Sequence, residues 1–256
     1  MPYVQVNHHK LFYAHSRATP EHLAAPPLVL LHGSGGNHLH WPGELRRLPG
    51  ATVYALDLPG HGRSDGSGYD AISAYVEILL GFLGTIGVQR AVLAGHSMGS
   101  AIAQMTALTY PERVAGLALM GAGARLRVHP AILEGILDDF ENTVDLVTRW
   151  LWAEDAPQEL VRLSHQALAA TPASVIHGDY VACDRFDVMD RLGEISAPTL
   201  VIAGTADKLT PLKYGAYLAE RIPNARLITV EGGGHMMALE QPAIVAEAIA
   251  EFVRGL

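Results

Sequence analysis

The sequence predicts an α/β fold: a mostly parallel central sheet flanked by helices, with a helical insertion in its second half. Two observations predict it. Short apolar runs at 28–31, 52–56, 91–95, 114–120, 199–203 and 225–230 alternate with helix-compatible stretches at 70–86, 99–109, 213–221 and 242–254. Strands separated by helices build a parallel sheet covered on both faces. Between Ala124 and Arg185 that rhythm stops, and Pro130, Pro157 and Pro172 punctuate four helix-like blocks at 130–140, 143–153, 157–170 and 172–182. The expected division is a core of 1–124 and 186–256 with an insertion of 125–185.

Taken in order, Tyr3–Val6 and Leu11–His15 read as a hairpin around Asn7-His8-His9, and Ala24–Pro27 as a short linker. Leu28-Val-Leu-Leu31 is a buried-strand run that delivers the chain into His32-Gly33-Ser34-Gly35-Gly36. That loop is glycine-rich, but no lysine follows in the G-x-x-x-x-G-K-[ST] arrangement, which excludes a nucleotide P-loop. The run 52–56 leads into Asp57-Leu-Pro-Gly-His-Gly-Arg-Ser64.

Ala91 to Ala94 leads into Gly95-His96-Ser97-Met98-Gly99, and a helix-compatible segment follows at once. This is G-x-S-x-G between a strand and a helix, a sharp turn that holds a serine hydroxyl exposed above the sheet edge. Gly95 and Gly99 remove side chains that would collide there. Ser97 is therefore the candidate nucleophile.

A serine hydroxyl needs a base, and the base needs an orienting acid. Thr199–Ala203 is an apolar strand followed by Gly204-Thr-Ala-Asp207. Ala225–Val230 is another, followed by Glu231-Gly-Gly-Gly-His235. Asp207 and His235 thus sit in loops past strand ends, in the chain order Ser, Asp, His. Asp207 could also serve only as a turn or N-cap aspartate ahead of Pro211. Acyl transfer further requires two backbone N–H groups aimed at the oxyanion. Met98, next after the nucleophile, supplies one and Ser34 the other.

These segments together resemble the α/β-hydrolase fold superfamily, in its small single-domain group with a helical cap. The residues that carry the resemblance are His32-Gly33, Asp57 to Ser64, Gly95 to Gly99, Gly204 to Asp207 and Gly234-His235. The resemblance implies that Asp57 to Ser64 supports the oxyanion loop, with Arg63 and Ser64 as scaffold, and that the insertion covers the nucleophile. Trp41, shortly after the oxyanion loop, and Trp150 and Trp152 in the insertion are candidates for the pocket wall. His177, Asp179 and Asp184 are either polar pocket groups or caps and solvated loop residues.

A serine nucleophile disfavours the relatives that attack carbon with a carboxylate. A Ser97-His235-Asp207 triad with a two-amide hole implies hydrolysis of small carboxylic esters or lactones through an acyl-enzyme, with no cofactor. The nearest alternative is C–C bond hydrolysis of dienoic ring-cleavage products. Those enzymes usually carry asparagine at the position of His96 and often a third glycine at that of Ser100. A non-hydrolytic small-molecule binder on the same fold is the alternative from a different class.

Composition agrees. The chain of 256 residues is 49% hydrophobic, enough for a sizeable core. Its net charge of −8 without a basic cluster argues against nucleic acid or anionic membrane as partner. No apolar stretch reaches the ~18 residues of a membrane span and no signal-peptide pattern opens the chain, so the expected setting is the cytoplasm. A lone Cys183 excludes an internal disulfide. His38 and His40 lack a third ligand at metal-binding spacing, so no metal is expected. The expected oligomeric state is a monomer or homodimer.

Overall fold

A computed structural model describes residues 2–18 and 25–256; Ala24, the start of the expected linker, lies outside the described residues. Eight strands form one sheet in the order β1-β2-β4-β3-β5-β6-β7-β8. They are β1 (Tyr3–Val6), β2 (His9–Ser16), β3 (Leu28–Leu31), β4 (Val53–Leu56), β5 (Ala91–His96), β6 (Val114–Met120), β7 (Thr199–Gly204) and β8 (Ala225–Val230). The pairs β1–β2 and β2–β4 are antiparallel, and every pair from β4 through β8 is parallel. The second hairpin strand is longer than expected because it pairs twice, with β1 at one end and with Val53–Leu56 at the other.

The central strands are apolar without interruption because both faces are covered. Val29, Leu31, Leu93, Leu117 and Val201 point to the face packed by α2 (Ile72–Thr85), α3 (Met98–Thr109) and α8 (Leu212–Arg221). Leu28, Leu30, Val92, Ala94 and Ile202 point to the other, covered by α1 (Gly43–Arg46) and α10 (Pro242–Arg254). On α10, Val245, Ile249 and Phe252 recur at helical spacing and are buried. Each such side chain contributes roughly 1.5–3 kcal/mol of burial.

Between β6 and β7 the chain forms four helices: α4 (Pro130–Asp138), α5 (Phe140–Leu151), α6 (Gln158–Ala169) and α7 (Ala173–Arg185). They pack on their own cluster of Ile132, Ile136, Val144, Val147, Leu168 and Ile176. The insertion leaves and rejoins the sheet side by side: Arg125 bridges Asp187, and Val188 N–H donates to the Ala124 carbonyl at 2.8 Å. Two four-residue helices, α1 and α9 (Met237–Glu240), are absent from the sequence reading. At little more than one turn, neither carries a readable period.

This topology places four loops at one edge. The segments after β3, β5, β7 and β8 carry Ser34, Ser97, Asp207 and His235 past the C-terminal strand ends, where ligands bind in open parallel sheets.

Candidate active site

Ser97 joins β5 to α3 with φ 53° and ψ −116°, a conformation that costs a non-glycine residue about 1–3 kcal/mol. The surroundings hold it there. Ser97 N–H donates to the Met120 carbonyl at 2.9 Å, and Ser100 donates its N–H at 2.8 Å and its hydroxyl at 2.6 Å to the Ser97 carbonyl. A Cβ on Gly95 would collide with the Gly99 carbonyl, and one on Gly99 with the Leu31 carbonyl, so both positions exclude any side chain. The turn leaves Ser97 partly exposed in the wall of a cavity, at the N-terminus of α3.

Opposite it, His235 Nδ1 lies 2.8 Å from Asp207 Oδ2, both side chains almost fully buried. Asp207 is held on all sides. Thr210 donates its hydroxyl to Oδ2 at 2.7 Å, and the N–H groups of Leu209 and Thr210 donate to Oδ1 at 2.9 Å each. Burial pushes the Asp207 carboxyl up, but the His235 charge and hydrogen bond and the Thr210 donors outweigh it and bring the carboxyl down to about 2. An ionised Asp207 fixes the imidazole with its proton on Nδ1 and leaves Nε2 as the lone-pair nitrogen, in the wall of the same cavity. His96 Nε2–H donates to the His235 carbonyl at 2.9 Å and anchors that loop. Burial foremost, then the neighbouring His235, lowers His96 to about 3, so it is a neutral donor.

The glycine-rich loop after β3, the expected oxyanion loop, is set by His32. Leu58 N–H donates to His32 Nε2 at 3.1 Å, so the ring proton is on Nδ1, which donates to the Gly33 carbonyl at 2.8 Å. Gly36 N–H donates to the same carbonyl at 3.1 Å. Gly33 C=O and Ser34 N–H belong to one planar peptide, so pinning the oxygen turns the N–H the opposite way. Burial holds His32 well below its ordinary value, which keeps this tautomer neutral. Ser34 N–H and Met98 N–H, the latter at the first residue of α3, have no acceptor among the described residues. The Ser34 hydroxyl faces Cys183 Sγ at 3.6 Å, and burial pushes that thiol up to about 12, which makes it an inert wall group.

The cavity has a volume of about 370 Å³, and Ser34, Ser97, His235, Ile132, Trp150 and Leu168 contribute to its wall. Of the three tryptophans expected there, only Trp150 lines it. Trp41 is 1% exposed and packs on the opposite face of the sheet, among the residues beneath α1 and α10. Its neighbour His40 takes the wall position instead. Trp152 is buried where the insertion meets Gly234, away from the cavity surface. Asp57 is fully buried, accepts from His38 N–H and Nδ1 and from Arg63 N–H, and ties the oxyanion loop's continuation to the Asp57–Ser64 turn. Ser64 bridges the Asp57 carbonyl and Phe12 N–H. Asp184 sits at the surface with Arg127 and Val128, His177 is half-buried, and neither lines the cavity. Asp179 is fully buried and bonds the oxyanion loop from the insertion.

Sequence reasoning gave no role to Thr210, His32 or His40 at the site and left Asp179 open between a pocket group and a cap or loop residue. Thr210 was visible in principle, three residues after Asp207 in a turn that an aspartate would cap. His32, His40 and Asp179 act through contacts that only the folded chain creates.

The chain matches the family model for the alpha/beta hydrolase fold over residues 26–242. It is 31% identical to the pimeloyl-[acyl-carrier protein] methyl ester esterase of Yersinia enterocolitica, over 89% of this chain and 93% of that one. It is 32% identical to the 2-hydroxy-6-oxononadienedioate/2-hydroxy-6-oxononatrienedioate hydrolase of Burkholderia vietnamiensis, over 89% and 86%. A solved structure described as a thermophilic esterase superposes with a TM-score of 0.86 at 34% identity, covering 99% of this chain and 96% of that chain.

Proposed function

The chain belongs to the α/β-hydrolase fold family, and from that premise we propose that it is a serine hydrolase that cleaves small carboxylic esters or lactones through an acyl-enzyme. The observation that carries this reading is His235 in the wall of the cavity that Ser97 enters from a strained turn, held from behind by Asp207 at 2.8 Å.

His235 Nε2 takes the Ser97 hydroxyl proton as Oγ attacks the carbonyl carbon. The resulting oxyanion accepts from Ser34 N–H and Met98 N–H, each such donor being worth about 3–4 kcal/mol in the transition state. Collapse breaks the C–O bond, and His235 gives its proton to the departing alcohol oxygen. A water then loses a proton to Nε2 and attacks the acyl carbon, and Ser97 leaves with that proton. The four helices of the insertion act as a cap over this site, with Trp150, Ile132 and Leu168 in the acyl or alcohol pocket.

The small cavity with largely apolar walls supports short or medium acyl groups. Its two permanent cations, Arg127 and Lys208, have side chains 57% and 45% exposed, which supports a neutral substrate over a dianionic one. The 32% identical dienedioate hydrolase keeps C–C cleavage as the second reading. A panel of p-nitrophenyl esters of increasing chain length, lactones and a dienoate ketone separates the two. Steady multiple turnover of a short ester, falling by ~10³-fold or more in Ser97→Ala, is the expected result. Turnover of the dienoate ketone alone would favour the second reading. A single burst without turnover would point to a binder, and undiminished turnover in Ser97→Ala would overturn the mechanism.

A further inference from the structure

The cap reaches into the core at one fully buried point. Asp179 on α7 accepts three hydrogen bonds from three separate core segments: Gly35 N–H at 2.8 Å and His61 Nε2 at 2.8 Å, both on Oδ2, and the Tyr75 hydroxyl at 2.5 Å on Oδ1. His61 follows β4 and Tyr75 lies on α2; Asp179 and Tyr75 have no exposed surface and His61 has 1%. The cap also accounts for the rest of Gly35. The Thr171 hydroxyl shares its proton between the Gly35 carbonyl at 3.3 Å and the Ala167 carbonyl at 3.2 Å, and Gly35, at φ +63°, has Leu168 of α6 where a side chain would stand. The Gly35 N–H is therefore held by the cap, and the Gly35 carbonyl lies against it.

We propose that Asp179 is a positioning residue for acyl transfer, fixing the Ser34 oxyanion donor from the cap through the Gly35 N–H. This rests on the serine-hydrolase reading above. Two consecutive peptides flank the Ser34 α-carbon. The first, Gly33–Ser34, is pinned at its oxygen by His32 and Gly36. The second, Ser34–Gly35, is pinned at its N–H by Asp179. With both planes fixed, the direction of Ser34 N–H has no remaining freedom, which is what a preorganised oxyanion donor requires. Without Asp179 the second plane can turn, Gly36 N–H one residue further on leaves the Gly33 carbonyl, and the first plane, which carries the Ser34 donor, loses one of its two anchors.

His61 and Tyr75 keep the carboxylate in place rather than simply neutralising it. Burial alone would lower His61, yet the Asp179 charge and hydrogen bond, with the Pro59 carbonyl and Asp57, raise it overall. The Tyr75 hydroxyl is likewise raised, by burial first and then by Asp179, and remains a donor. An N–H, an imidazole N–H and a phenol O–H thus converge on one acceptor-only group. The consequence is that the cap is part of the catalytic apparatus as well as a cover over the pocket.

The test compares wild type, Asp179→Ala and Asp179→Asn for kcat and KM on a p-nitrophenyl ester and for affinity toward an aryl trifluoromethyl ketone. That ketone adds to a catalytic serine and places an oxyanion in the hole. In Asp179→Ala, kcat and ketone affinity should fall together by ~10–100-fold, with KM within about 3-fold of wild type. Asparagine can put its oxygen at the Oδ2 position and donate to the Tyr75 oxygen, so Asp179→Asn should recover most of both. A folded Asp179→Ala that keeps kcat and ketone affinity, or that raises KM while ketone affinity holds, overturns the proposal. If Asp179→Ala does not fold, Tyr75→Phe takes its place. Parallel losses of ~3-fold or more in kcat and ketone affinity support the proposal, and unchanged values overturn it. Wild-type turnover and Ser97-dependent ketone binding are measured first. Their absence refutes the serine-hydrolase reading together with this proposal, whereas their presence beside an unaffected Asp179→Ala refutes the proposal alone.

Discussion

At the scale of single residues, Asp207 sets the orientation of His235. The carboxylate accepts four hydrogen bonds, one from the imidazole and three from Leu209 and Thr210, and these keep it ionised in a buried site. Asp207→Asn should lower kcat by ~10³–10⁴-fold, because an amide can stabilise the wrong imidazole tautomer. Thr210→Val removes only the hydroxyl and keeps both backbone donors, so a loss nearer ~10-fold is expected. Steady-state kinetics of the two variants check this order, and a near-normal kcat in Asp207→Asn would assign the acid elsewhere. The positions of Ser97, Asp207 and His235 at one sheet edge were legible in the sequence, because each follows an apolar strand in a glycine-bearing turn. Trp41 was misread for a physical reason. The chain alternates faces at His40 and Trp41, and proximity to the oxyanion loop does not reveal which of two adjacent side chains turns toward the cavity.

At the scale of elements, the turn between β5 and α3 carries the strictest steric demand. A methyl group on Gly99 would meet the carbonyl oxygens of Leu31 and His32, which are backbone atoms and cannot swing aside. Gly99→Ala should therefore destabilise the fold by about 3 kcal/mol, at the upper end for overpacking, and lower the urea midpoint accordingly. An unchanged midpoint would mean that the turn is looser than its geometry indicates. The α-helices of nine residues or more were legible, since two or three turns display a hydrophobic face; α10 matches its expected range, 242–254. The short α1 and α9 were not. Nor was the contact between α7 and the oxyanion loop, because Asp179 and Gly35 are 144 residues apart and nothing local marks the pairing.

At the scale of the whole molecule, the site is surrounded by buried histidines held neutral, which links stability to pH. Burial lowers His96 to about 3, His40 to about 4 and His32 well below its ordinary value near ~6.5. Each therefore favours the folded state fully above pH ~6.5, and that contribution is lost as pH falls toward the lowered values. Asp207, at about 2 in the fold, adds a further loss as pH falls below ~4. His61 is raised and acts in the opposite sense: its contribution is complete below pH ~6.5 and declines as pH rises through its raised value. Tm should accordingly fall steadily between pH 6.5 and 4, and a Tm unchanged from pH 7 to 4.5 would contradict these assignments. Whether Ser97 is an activated nucleophile is read by intact-protein mass spectrometry after treatment with an aryl phosphonate ester. One phosphonyl adduct per chain is expected, located on the peptide containing Ser97, with none in Ser97→Ala and strongly slowed labelling in Asp207→Asn. Equal labelling of wild type and Ser97→Ala, or an adduct on another residue, would contradict it.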